Sequence, residues 1–505
     1  MTGIKKINLI SAVLVSLSLC GGCTLEKAGN SSQDQTVQED NETEQVKAEK
    51  AEKEEINEIH LRDKDSLYEN DDDTSVVTMY LTVSKGNSSE NTYHTWKEIN
   101  SYSVYDYEDM GVERYQVAGL LQVGDENGPI EGEVGYGESV PNATVQIRGQ
   151  TSSQNAQKNY KIELKKNKGT WRGQRTINLN KHMTEGMRFR NKLAYDLIRG
   201  IPQMVGLRTQ FVHLYVKDNT EESGVKFEDY GIYTQVEQLN KTALKSHGLD
   251  SNGQLYKINS FEFYRYEDII KKEDDAGYDK TAFEKMLEIK GDSDHTKLID
   301  MLTDLNDYSI GIEDVLKEHF DEENIVYWMA FQILMGNVDT QNRNVYLYSP
   351  LNSDIWYFIA WDNDGCLMRS EYELKNFSDQ GSWEKGISNY WGNVLFQRCL
   401  KSQTFRDKLN DAILDLKENY LTEDRLTTMI ESYKSVVKPY AYSMPDQMNE
   451  PLTEEQYEQV AAAIPGEVEK NYQLYLESLE KPMPFYIGVP VSYTHLRAHE
   501  TRRHL

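Results

Sequence analysis

Asp339, Asn344 and Asp362 are the residues whose types and order could carry chemistry. The first two are spaced D-x-x-x-x-N in the polar stretch GNVDTQNRN, and Asp362 opens a DNDG that follows a strongly apolar run. Phosphoryl transfer asks for this set, because its catalysis is positioning and charge neutralisation rather than covalent chemistry. One carboxylate, Asp339, would orient an attacking hydroxyl. Asn344 and Asp362 would hold Mg²⁺ or Mn²⁺ through oxygen, the donor that hard cations prefer, and Asp364 could support a second ion. The D-x-x-x-x-N spacing alone is equally that of two Asx-turns. The order of helix, loop, hairpin and second aspartate is more demanding.

These side chains need elements to bring them together. Residues 321–335 read as a helix: Ile325, Trp328, Met329, Ile333 and Leu334 recur at three- and four-residue spacing behind an acidic first turn, and Gly336-Asn337 ends it. Strands are expected at 345–348 and 356–361, separated by the turn-rich SPLNSD, so the second strand delivers Asp362. Upstream, a strand at 145–148, the polar loop GQTSS and a strand at 160–164 offer Arg148, Lys158 and Lys161 as phosphate-binding cations. The loop could cover phosphates with backbone N–H groups, or be a plain hairpin turn. Strand alternation puts Tyr160 and Ile162 on one face and Lys161 on the other; it leaves open which of Lys158 and Lys161 enters a cleft.

An amphipathic helix is expected over 187–201, with Arg188, Arg190 and Lys192 on its polar side and Glu185 just before it as the available ion-pairing carboxylate. Strands follow at 211–216 and 230–236. Glu237 closes the second, either lining a nucleotide cleft or capping a surface. Lys257, in a strand at 253–258, is either an alternative nucleotide lysine or a snorkelling surface residue.

GNVDTQNRNVYLY followed by WYFIAWDNDG resembles the CotH (spore-coat protein H) kinase family, as do IRGQTSSQNAQKNYKIEL, RNKLAYDLIRGI, FVHLYV and GIYTQVEQL. The resemblance covers roughly residues 144–442. It implies a kinase-like architecture and ATP- and metal-dependent phosphorylation of extracellular or spore-surface proteins, with Asp339 as the catalytic aspartate and Asp362 as the metal aspartate.

Composition bounds the partners. A formal net charge of −28 over 505 residues excludes nucleic acid as a favoured partner and suits a basic, Ser-rich protein substrate. The apolar share of 38% is low for a chain packed throughout. Residues 1–23 carry Lys5-Lys6, a short apolar core and a Leu-Cys-Gly-Gly-Cys ending like a bacterial lipobox, with Cys23 as the lipidation site; plain secretion is the alternative. Residues 24–75 form an acidic tether too poor in apolar side chains to offset ordering entropy. Residues 76–141 read as a β-rich N-terminal portion and 142–485 as the kinase-like domain, helical towards its end. The final 491–505, abruptly rich in His and Arg, resembles a translated sequencing adaptor, so His495, His499 and His504 are not read as metal ligands. Cys366 and Cys399 could pair or be buried thiols.

The expectation is therefore an α+β, bilobal, atypical protein-kinase-like fold on a lipid anchor. It would sit at the extracellular face of a bacterial membrane and use ATP and Mg²⁺ on Ser or Thr. Two rivals are a non-catalytic coat-assembly protein with the same fold and a carbohydrate- or cell-wall-binding module using the chain's 33 tyrosines. Fatty-acid probe labelling of the expressed chain should be lost in Cys23→Ser, and labelling that persists in that variant would refute the anchor.

Overall fold

In the computed structural model, which describes residues 61–69, 71–222, 226–375 and 390–483, strand alternation sorts the side chains into two cores. The signal segment with Cys23, the first part of the tether and the His/Arg-rich tail lie outside the described residues. Strands β1 (Val76–Ser84), β2 (Val117–Asp125), β3 (Gly128–Pro129), β4 (Ala143–Arg148), β5 (Asn159–Leu164), β6 (Thr176–Asn180), β7 (Thr209–Asp218) and β8 (Glu228–Glu237) form one sheet. Their order is β1-β7-β8-β6-β5-β4-β2-β3, and β1 also pairs antiparallel with β2, closing the sheet into a barrel. Residues 76–141 therefore supply barrel strands rather than a separate layer. Met79, Leu81, Val145, Ile147, Ile162, Leu179 and Leu214 fill the barrel. Closure leaves few unpaired strand edges to protect.

The second core is larger and lies outside the barrel. It gathers Phe211, Ile232 and Val236 from the outer faces of β7 and β8 together with the helices and a four-stranded sheet. That sheet contains β9 (Gln254–Ile258), β10 (Leu287–Ile289), β11 (Val345–Ser349) and β12 (Tyr357–Ala360), in the order β10-β9-β11-β12. The expected helix forms over Glu322–Leu334, N-capped by Asp321, whose side chain accepts the Asn324 N–H. Asn324 then docks the helix on β12: it accepts the Phe358 N–H at 2.7 Å and donates to Phe358 O at 3.2 Å. The hairpin β11–β12 pairs Val345 with Ala360, as the pattern predicted.

Several expectations change. The helix expected over 187–201 is Arg190–Ile198 and is buried all round, so its basic residues are not a solvated face. Arg190 pairs with Glu185 at 2.6 Å and Glu371 at 2.7 Å, and Lys192 pairs with Asp196 at 2.8 Å. Within the portion expected to be β-rich, residues 96–110 hold two short helices, Trp96–Ser101 and Val104–Met110. Both start with capping boxes, Thr95 with Glu98 and Ser103 with Asp106, a signal present in the sequence. Cys366 and Cys399 are buried free thiols. Among the described residues no helix is long and apolar enough to cross a membrane.

Glu237 closes β8 inside a charge network, not at a cleft. It accepts the Arg208 N–H at 3.1 Å, lies 2.9 Å from His247 Nε2 and also receives the Arg208 guanidinium. His247 Nδ1 meets Asp63 at 2.6 Å. Burial raises the Glu237 carboxyl, but His247 and Arg208 more than offset it and hold it at about 2. Burial lowers His247, but Glu237 and Asp63 hold it at about 9. The carboxylate's contribution to stability is present above its ordinary pKa and lost as pH falls towards 2. The imidazolium's is present below its ordinary pKa and lost as pH rises through 9. Stability measured against pH should thus plateau between about 4.5 and 6.5 in this network. Glu237→Gln should lose roughly 3 kcal/mol on the plateau and flatten both flanks; an unchanged pH profile in the variant would refute the pairing.

Candidate functional site

The hairpin brings the two sequence segments of the site together. The Trp361 N–H donates to Asn344 O at 3.2 Å, so the end of the polar loop faces the residue before Asp362. Asn344 Nδ2 donates to Asp339 Oδ2 at 2.9 Å and to Asp339 O at 3.1 Å, which turns its Oδ1 the other way. Asn344 and Asp362 both adopt left-handed backbone, with φ of 57° and 55°. That conformation is costly for a residue with a side chain and persists where neighbours hold it. At Asp362 two residues of the buried helix do so: its N–H donates to the Tyr195 hydroxyl at 3.0 Å, and the next N–H, of Asn363, donates to Asn191 Oδ1 at 3.1 Å.

Asp364 ties the carboxylates electrostatically, since its charge acts on both Asp339 and Asp362. Burial pushes the Asp362 carboxyl up to about 6 and Asp364 adds to the push, against the pull of Arg148, Lys257 and His182. At the cleft mouth, desolvation raises Asp339; Arg343 opposes this and Asp364 reinforces it. His182 Nδ1 stands 3.6 Å from Asp364 Oδ2. Crowded carboxylates of this kind disfavour their own charged forms, and a divalent cation among them would relieve the repulsion. With the Asn344 carbonyl oxygen beside them, the donor set is all oxygen and fits Mg²⁺ or Mn²⁺.

Of the expected cations, the structure brings Arg148 to the cleft. Ile147 faces the barrel core, so Arg148 at the end of β4 projects from the outer face. It bonds Asn180 and sits 5.9 Å from the centre of the Trp361 ring. Lys158 and Lys161 do not join it, which corrects their reading as phosphate ligands. Lys158 lies just before β5 and donates to Ser153 O at 2.7 Å. Lys161 lies one pleat further along, opposite Gln146, and pairs with Glu163 at 2.8 Å. The GQTSS loop also commits its hydroxyls elsewhere: Ser153 Oγ accepts the Val104 N–H and donates to Gln150 O, and Ser152 Oγ accepts from Asn159.

Lys257, weighed in the sequence against a surface position, is the second cation here. It lies in the rung Glu288–Lys257–Tyr346 of the small sheet and places Nζ 6.0 Å from the Trp361 ring centre. Burial lowers its pKa, opposed by Glu288 and Asp362. The Trp361 ring packs edge-on to Tyr346, whose hydroxyl accepts from Gln238 just after β8 at 2.9 Å. His182, Tyr195, Asn191 and Gln238 escaped sequence reading, because nothing in their local pattern distinguishes them from packing residues.

A mixed α/β protein thus carries three carboxylates and an amide in one neighbourhood, with two cations about the Trp361 indole near Asp362, a set suited to a polyanion held with a divalent cation. A family model described as CotH kinase protein matches residues 145–475, more than half of the chain, and the chain belongs to that family. Inner spore coat protein H of Bacillus subtilis (strain 168) is 21% identical over 309 residues, covering 61% of this chain and 79% of that protein. The crystal structure of the Helicobacter pylori proinflammatory kinase CtkA covers 63% of this chain and 94% of its own at 12% identity and a TM-score of 0.30, too low to argue from.

The division among the cations is testable with inorganic tripolyphosphate and Mg²⁺. Arg148→Ala and Lys257→Met should each weaken binding by about tenfold, or 1.4 kcal/mol. Lys158→Met and Lys161→Met should leave it unchanged, and the reverse pattern would refute the placement.

Proposed function

We propose that this chain is a surface-anchored protein kinase of the CotH type, transferring the ATP γ-phosphoryl group to Ser or Thr of a basic surface or coat protein. The observation that carries the reading is that Asp339 and Asn344 are bonded at 2.9 Å and that the charge of Asp364 acts on both Asp339 and Asp362, with Arg148 acting on Asp362. In this reading the barrel is the nucleotide-side lobe and the helical part with the small sheet is the other, a bilobal arrangement like that of protein kinases. The order of helix, D-x-x-x-x-N loop, hairpin and metal aspartate supports it.

Asn344, Asp362 and Asp364 would hold Mg²⁺, which supplies charge neutralisation at the nucleotide phosphates. Arg148 and Lys257 add protein cations there, where the low dielectric of the cleft makes each charge count for more. Asp339, exposed at the surface, orients the acceptor hydroxyl and takes its proton. The acceptor oxygen forms the new bond to the γ-phosphorus as the bond to the β,γ-bridging oxygen breaks, and ADP leaves. Arg343, 3.8 Å from Asp339, and the Asn344 amide hold the base in place. A net charge of −28 favours a basic partner. A lipid at Cys23 and the acidic tether would hold the domain off the membrane at the extracellular face.

The two aspartates separate the mechanism from its rivals. Asp339→Asn should keep Mg²⁺–ATP binding and lower phosphate transfer to a Ser-rich basic protein by roughly two to four orders of magnitude. Asp362→Asn should weaken metal-dependent nucleotide binding and lose transfer with it. Nucleotide-induced thermal shifts and labelled phosphate transfer measure both. Full transfer in Asp339→Asn would end the catalytic assignment. Wild type that neither binds nor turns over Mg²⁺–ATP would point to a non-catalytic coat or glycan-binding protein.

A further inference from the structure

The two site segments do not hold their spacing by the hairpin alone. At the other end of each, the chain leaves the cleft: the loop begins where the Glu322–Leu334 helix ends, and the DNDG segment runs into the helix Arg369–Leu374. Leu367 N–H donates to Met335 O at 2.7 Å, one direct link between these ends. The second link comes from the C-terminal helix Glu467–Leu479, in which the sequence showed no chemistry.

Asn471 of that helix is buried, and both ends of its amide are used. Nδ2 donates to Leu334 O at 2.9 Å, the carbonyl at the helix terminus just before the loop. Oδ1 accepts from Arg369 Nη2 at 2.8 Å and Nε at 3.3 Å, on the segment just after DNDG. One turn earlier, Glu467 accepts the Arg369 and Ser370 N–H groups, each at 2.9 Å. Gly336 completes the fit: it has φ +62°, and a Cβ there would lie 2.7 Å from Asn471 Nδ2. A side chain at the start of the loop would displace the bridge as well as strain the backbone.

We propose that Asn471 is a positioning residue of this site. It sets the separation between the segment bearing Asp339 and Asn344 and the segment bearing Asp362 and Asp364, without touching nucleotide or metal. Only a group that donates on one side and accepts on the other satisfies both partners, and an amide does so where a carboxylate or an alkyl chain does not. The proposal rests on the kinase reading for its catalytic consequence, but its effect on cation affinity does not, because the candidate ligands come from both segments. Outer-shell groups that orient ligands typically carry ten- to hundredfold in metal affinity.

The test uses the full chain, well below its thermal midpoint, with Mn²⁺ binding read by paramagnetic resonance and phosphate transfer read kinetically. Asn471→Ala should weaken Mn²⁺ by about tenfold. It should lower kcat by up to about a hundredfold, with little change in the acceptor KM. Asn471→Asp keeps the Arg369 contact but sets a carboxylate against Leu334 O, and should fall between. Tyr475→Phe is the control: it removes a 2.5 Å bond from the same helix to Asn410 without touching either segment, so it should lower stability alone. Unchanged Mn²⁺ affinity and kcat in Asn471→Ala, or an equal loss in Tyr475→Phe, would overturn the proposal. Wild type that binds Mn²⁺ but transfers no phosphate would refute the kinase reading and leave the Mn²⁺ comparison to decide this one. Wild type with neither property would overturn both.

Discussion

The pairing of β11 with β12 is the constraint on which the rest of the site depends. Asp339 and Asp362 are separated by a loop, a strand, a turn and a second strand, and antiparallel pairing from Val345–Ala360 to Tyr348–Tyr357 folds that length back on itself. A one-residue slip would move Tyr346, Trp361 and every buried neighbour to the wrong face. Every residue of β11 and β12 is buried, so both faces are packed and their side-chain shapes resist a slip. Asn324 reinforces the register from the helix side by bonding both backbone groups of Phe358. Hydrophobic burial thus fixes the position of polar oxygens that could not position themselves.

Charge is arranged around that frame with an asymmetry. The acidic groups come from the hairpin and its flanks, while the cations reach in from other strands, Arg148 from the barrel and Lys257 from β9. Each acidic group next to another raises the cost of ionisation, and Asp362 at about 6 shows the repulsion not fully answered by Arg148, Lys257 and His182. Elsewhere in the folded domain buried charges meet opposite charges directly. Lys181 and Arg188 both meet Asp446, and Arg190 meets Glu185 and Glu371. Breaking such a pair leaves an uncompensated buried ion, at roughly 3–5 kcal/mol. At the candidate site the carboxylates Asp362 and Asp364 also act on each other, a crowding of like charge that is often tied to function.

Periodicity made the hairpin, its helix, Asp339, Asn344 and Asp362 legible, because those elements are long, apolar and bounded by turn residues. Among the three cations offered by residue type, Arg148 lies beside Trp361, and the inward Ile147 next to it explains its outward direction. The same reasoning failed for Arg190 and Lys192, which a helical wheel assigns to solvent: Arg190 meets Glu185 and the distant Glu371, and Lys192 pairs with Asp196 one turn along the same buried helix. Glu237 was misread for the same cause: a carboxylate ending a strand looks alike whether it meets a cleft or Arg208 and His247. Lys158 and Lys161 had the right residue type and the wrong neighbours. What a single sequence does not encode locally is the identity of a partner one or two hundred residues away.

That limit bears hardest on the C-terminal helices. Their sequence is amphipathic and carries no motif, yet Asp446 receives the Ile232 N–H at 2.8 Å on the barrel, and Asn471 meets the chain at Leu334 and Arg369 on either side of the site. One region therefore braces both the barrel and the hairpin segments. The same stretch supplies none of the candidate site residues. A helix without a motif in sequence therefore bonds, in the folded molecule, to the two segments that carry the candidate site.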